Sequence, residues 1–260
     1  MKGRKLLVSA CAAVYLFLML PLLVVFPISL SSAPYMQFPP PGLSWQWYSR
    51  YFNDPQWIDA TIRSLQIGLA TSVMALVLGV PLSFSLVRGK FPARQLLDRL
   101  AMAPIVIPTI IFSVAIYGLF AKMKLIGEWY GLALAHTVLA LPFVILVMIS
   151  GLRDFDRTLE QAAEGLGASR IQALRRITLP ILRPSLISAG LLAFISSFDE
   201  VVVALFLSGA RMTLPKKMFD NILMEIDPTI AAVSVMQILL VGIVMFLIGR
   251  FGRGLSATAR

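Results

Sequence analysis

The sequence predicts an all-α integral membrane protein with six transmembrane helices and a helix-turn-helix loop on the cytoplasmic side. Three observations carry this. Of 260 residues, 58% are hydrophobic and 14% charged, with a mean hydropathy of +0.83, too apolar for an ordinary soluble domain. The apolar residues fall into six runs, at about 6–30, 64–87, 100–121, 129–150, 185–208 and 229–249. Each is close to the roughly 20 residues that a helix needs to cross a bilayer. The net charge of +10 sits in short segments between these runs, a membrane-topology pattern that argues against a nucleic-acid surface.

The first run follows Lys2, Arg4 and Lys5. Its 25 residues exceed the roughly 7–15 of a cleaved signal core, so a retained span is expected. Pro34, just after Ser31, Ser32 and Ala33, makes a poor cleavage site. Cys11 ends a Val-Ser-Ala-Cys lipoprotein-like box, but only Leu6 and Leu7 precede it as an apolar stretch. As the single cysteine, it also excludes an internal disulfide framework.

With the N-terminus in the cytoplasm, the inner segments carry sixteen Lys and Arg residues and the outer segments seven. This excess places both termini inside. Trp45, Trp47, Trp57 and Trp129 then all lie on the outer side, where amphipathic rings prefer the headgroup layer. Trp47, Tyr48, Tyr51 and Phe52 recur at helical spacing, which predicts a short interfacial helix. It would anchor the chain to the membrane or dock an external partner.

Pro104, Pro108 and Pro142 predict kinks in the third and fourth runs. His136 is the only histidine, which excludes a multi-histidine metal site and a self-contained Ser-His-Asp triad. A hydrogen bond to a neighbouring helix, or a gating role, remains for it.

The segment of about 151–184 separates the fourth and fifth runs. Leu159, Ala162, Ala163 and Leu166 form one helical stripe. Thr158 and Gln161 fit a capping box, Gly167 a left-handed stop and Ser169 a new N-cap. Ile171, Leu174 and either Ile177 or Thr178 would line one side of the second helix, which Pro180 and Pro184 limit.

In the fifth run, Asp199 and Glu200 lie near mid-span, about 100° apart on a helix. A carboxylate there costs on the order of 2.5–3.5 kcal/mol unless it faces a polar cavity or a partner. The pair therefore lines a path for a cationic solute or braces the bundle.

Gln161-Ala162-Ala163, three residues, Gly167, nine residues, then Ile177, Leu179 and Pro180 resemble the EAA loop of ABC importer permeases. Ser197-Phe198-Asp199-Glu200 with Val201, Val202 and Val203 resembles the spermidine/putrescine type. So do Trp47-Tyr48, Phe52-Asn53-Asp54 and Pro104 to Pro108. The resemblance implies a single permease domain over residues 1–260 of a bacterial inner membrane. It implies that Glu160, Gln161, Ala162, Ala163, Gly167, Ile177, Leu179 and Pro180 couple the chain to a cytoplasmic ABC ATPase. The usual first Glu is Gln161 here, so its charge is lost or carried by neighbouring Glu160 or Glu164.

The expected partners are that ATPase, a second permease in a heterodimer, a periplasmic or extracellular solute-binding protein and membrane lipid. No nucleic acid is expected. The chain has no GxxxxGK[ST] phosphate loop, so it is not expected to hydrolyse ATP. No cofactor or metal of its own is expected; ATP and Mg would be bound by the ATPase. The alternative is an ion-gradient-driven secondary transporter, though no internal symmetry supports it. A lipid-modifying enzyme lacks a cluster of catalytic groups.

Overall fold

The computed structural model describes residues 2–224 and 227–256, and side chains from Leu7 onward except at 244 and from 247. The terminal charges Lys2, Arg4, Lys5, Arg250, Arg253 and Arg260 lie outside the described side chains. Among the described residues the regular structure is helical, joined by loops, with one isolated antiparallel bridge, Ser31 to Leu43.

The helices are α1 (Lys2–Ser29), α2 (Gln46–Asn53), α3 (Pro55–Arg88), α4 (Arg94–Val106), α5 (Thr109–Lys122) and α6 (Trp129–Asp154). Next come α7 (Thr158–Gly165), α8 (Arg170–Ala173), a π-helical turn (Leu174–Thr178), α9 (Leu179–Ile181) and α10 (Arg183–Phe198). The chain closes with α11 (Val202–Leu207), α12 (Leu214–Met224) and α13 (Thr229–Ser256).

Among the described residues three helices are long and apolar enough to span a bilayer: α1 from Leu7, α3 and α6. Counting each bent pair as one span raises this to five. One pair is α4 with α5, bent by 106°; the other is Arg170–Ile181 with α10, bent by 68°. The described apolar stretch of α13, Thr229–Ile243, is shorter.

Two of the expected runs are therefore not straight helices. The run 100–121 breaks at Ile107, which is extended (ψ 124°) ahead of Pro108. Proline forces this, because its ring clashes with a helical residue before it. The run 185–208 breaks between Phe198 and Val202. By contrast, α6 continues through Pro142.

The chain divides into two compact units, one built from Ala60–Lys216 with the chain from Leu247, the other from the chain up to Asp59 with Lys217–Phe246. In the first unit α6 is the central element. Val144, Ile145 and Met148 are fully buried. One cluster joins Ala75 of α3, Ala140, Val144 and Met148 of α6, and Ala189 and Ala193 of α10. A second joins Ile67, Phe120, Leu132 and the α11 residues Val203, Ala204 and Leu207. Small residues permit these close crossings. A Cβ on Gly79 would sit 2.7 Å from Val144 Cγ1.

In the other unit, α2 folds back on the end of α1. Trp47 Nε1 donates to Ser31 O (2.7 Å), and the Tyr48 hydroxyl lies 2.8 Å from Ser29 Oγ. Arg50 pairs with Asp227 at 3.0 Å, and Asp227 also accepts from the Thr229 N–H at the start of α13. The expected short helix is present, but Trp47, Tyr51 and Trp57 are buried within protein. Trp45 and Phe52 are rings of this segment that stay well exposed.

Candidate functional site

The segment after α6 presents one apolar face outward and secures the other to the core. Its first helix starts at Thr158 because the Asp156 carboxylate accepts the Thr158 N–H at 2.9 Å. That bond holds the Asp156 carboxyl below the usual carboxylate range. The expected Thr158–Gln161 capping box does not form: Arg157 is the N-cap, with no side-chain cap bond. Asp156 reaches the first free N–H from outside the helix, which leaves Gln161 exposed.

The stop is a Schellman arrangement. Gly167 N–H donates to Glu164 O and Ala168 N–H to Ala163 O, both at 3.0 Å. Gly167 has φ +91°, a left-handed conformation natural for glycine. Ser169 then opens α8 with a reciprocal capping box to Gln172. The π turn Leu174–Thr178 follows, and Pro180 sits in the first turn of α9.

The residues of this segment separate by direction. Leu166 is 90% exposed and Ile171 63%; Leu159, Gln161 and Ala162 are also exposed. Ala163, Leu166, Ala168, Gln172, Ala173, Arg176 and Ile177 line a groove of about 260 Å³. Thr178 is fully buried, and Ile177 packs against the cluster of Leu152, Phe155 and Leu182. Leu179 and Pro180 are half-buried.

Glu160 points inward. Its two carboxylate oxygens accept from Arg88 Nη1 at 3.0 and 2.9 Å, and the Thr178 hydroxyl donates to Oε1. The Arg88 guanidinium also lies over the Phe84 ring (4.8 Å) and near the Phe155 ring (5.8 Å). The sequence gives no pairing for Arg88, which reads only as one of several cations ending an apolar run. The sole hint is Phe84, one turn earlier.

Asp199 and Glu200 are not neighbours on a continuous helix. They occupy the break between α10 and α11. Glu200 Oε1 accepts the Val202 and Val203 N–H groups at 2.8 and 3.0 Å, capping α11. Asp199 is exposed. A side-chain acceptor next to free backbone donors competes with the helical ladder, which accounts for the interruption here. Just before the break, Ser197 Oγ lies 2.8 Å from His136 Nδ1 and donates to Thr71 Oγ1 at 3.2 Å. This buried chain ties α6, α10 and α3 together. The hydrogen bond expected of His136 is thus present.

The family model for "Binding-protein-dependent transport system inner membrane component" matches residues 75–257, which include both the Glu160 region and the Asp199 break. The spermidine/putrescine transport system permease protein PotC of Haemophilus influenzae is 32% identical over 87% of this chain and 88% of its own. The putrescine transport system permease protein PotI of Escherichia coli is 34% identical over 79% and 76%. Among solved structures, a bacterial ABC transporter involved in import of alginate superposes with a TM-score of 0.74 at 19% identity, covering 96% of each chain. The MetNI methionine ABC transporter gives 0.66 at 20%, covering 76% of this chain and 95% of that one. The chain belongs to the family of binding-protein-dependent transport system inner membrane components, the permease subunits of ABC importers.

Proposed function

We propose that this chain forms half of the translocation pathway of an ATP-driven importer for a polyamine, such as spermidine or putrescine, or a related small organic solute. The observation that carries this is the outward apolar face of residues 159–171. Leu166 and Ile171 are held exposed beside a groove, on a segment whose other side is fastened by Glu160 and Ile177. An exposed apolar strip on an ordered turn is what a docking partner would cover. That partner is a cytoplasmic ABC ATPase, which binds ATP and Mg; this chain hydrolyses nothing itself and holds no cofactor.

In this reading residues 1–260 are one permease domain with six spans, both termini cytoplasmic, and residues 151–184 face the ATPase. α4 with α5, α10 with α11, and α13 supply the spans beyond α1, α3 and α6. A second permease completes the cavity as a heterodimer, and a periplasmic or extracellular binding protein delivers solute. The exposed carboxylate of Asp199 lines the path and attracts an ammonium group, while Glu200 holds the break open. The polyamine assignment is supported by the PotC and PotI relatives.

The test is a mild-detergent pull-down of the tagged chain with mass spectrometry of its companions. A second permease and a P-loop ATPase are the expected result; a chain that purifies alone overturns the reading. Uptake of radiolabelled spermidine by cells carrying the whole system tests the solute.

A further inference from the structure

We infer that Arg88 and Thr178 are positioning residues for coupling: with Glu160 they form a clasp that makes α7 and the π turn move as one body with the end of α3. This rests on the proposed reading of residues 158–180 as the ATPase-docking segment.

The geometry points to a joint. No residue of α7 is buried, so no apolar side chain sinks this helix into a core. Glu160 is the acid in its first turn, and it turns inward to Arg88 rather than to solvent. One Arg88 nitrogen serves both carboxylate oxygens, and the Thr178 hydroxyl donates to the same group. Glu160 thereby bonds at once to the end of α3 and to the π turn.

The cation is itself held. Phe84 lies beneath it on the same helix, and Phe155, at the end of α6, flanks it. Phe155 also belongs to the core cluster with Leu152 and Leu182. Arg88 therefore connects α3, the end of α6, α7 and the π turn at one point. A face meant for a partner must stay exposed, so it cannot also fix the helix that bears it. A charged pair on the opposite side does so without using that surface. Helical bulges of the π type frequently mark functional positions, and here the bulge supplies Thr178.

The clasp differs from the docking face in what it predicts. Losing the face abolishes ATPase binding. Losing the clasp leaves the ATPase bound but lets α7 move independently of α3.

The experiment places nitroxide labels at Glu164→Cys on α7 and Ser85→Cys on α3, both exposed sites, in a Cys11→Ser background. Pulsed electron–electron resonance is recorded for the purified chain, then for its complex with the ATPase, with and without ATP. The expected result is one narrow distance that ATP does not change. Arg88→Gln and Thr178→Val should lose the narrow distance, while Arg88→Lys should retain it, because the contact uses a single donor nitrogen. Thr178→Val keeps the side-chain shape, so it remains informative if Arg88→Gln does not fold. A narrow distance in both Arg88→Gln and Thr178→Val overturns the proposal, and so does a wild-type distance that shifts with ATP. Failure of the ATPase to bind the wild-type chain instead overturns the docking reading, while the measurement on the chain alone still decides the clasp.

Discussion

The Glu200 carboxylate lies 3.0 Å from the Val203 N–H and 2.8 Å from that of Val202, so this acid within the membrane run caps a helix. Asp199, one residue earlier, is exposed and makes no such bond. Two adjacent acids thus sit in different surroundings.

Glu200→Ala should lower the stability of the purified protein by about 1 kcal/mol, the usual cost of a lost cap. Asp199→Asn should leave thermal unfolding unchanged but weaken spermidine uptake. Unfolding curves and uptake at equal expression check both. Wild-type uptake by Asp199→Asn would remove that residue from the path.

Leu166→Asp should abolish co-purification of the ATPase without affecting the fold. Leu166 is 90% exposed, so the chain's own packing loses little. Quantitative pull-down with a thermal melt of the same sample is the measurement. Undiminished ATPase recovery would rule out this face as the dock.

Gly167→Val should be worse than Gly167→Asn. No atom lies within 4 Å of a Cβ built at this position, so the penalty is conformational rather than steric. At φ +91° a branched side chain is strained, whereas Asn visits left-handed backbone more readily, a difference of roughly 1–2 kcal/mol. ATPase recovery and uptake should follow the order Gly, Asn, Val. Equal values for Asn and Val would show that the turn tolerates either.

His136→Phe should destabilise the bundle by about 0.6–1.7 kcal/mol, the range for polar contacts between membrane helices. It removes one of the two partners of Ser197 at the end of α10, leaving Thr71. His136→Phe combined with Ser197→Ala should cost less than the sum of the single changes, since the two side chains share one bond. Unfolding of all four proteins gives the coupling, and strict additivity would deny the link.

The sequence showed the helical class because lipid leaves backbone polar groups no partner outside a helix or a closed barrel, and long apolar runs therefore read directly. Gly167 and Ser169 were legible because caps depend on local backbone geometry. Local pattern failed where a competitor came from nearby: Asp156 displaced Thr158 from its capping box. It failed again in 100–121, where Pro108 broke the run rather than merely kinking it.

By itself, then, the sequence determined the membrane class, the apolar runs and the family, since hydropathy and motif spacing are properties of neighbours along the chain. Only the tertiary structure decided which groups meet across it. Arg88 and Glu160 are 72 residues apart, and no periodicity relates them. His136 reaches Ser197 across 61 residues, and Trp57, expected at the lipid interface, is buried in protein. Glu200 caps α11 through the Val202 and Val203 N–H groups, a contact that hydropathy along the run does not show. Each is decided by which donor or apolar surface folding brings within reach.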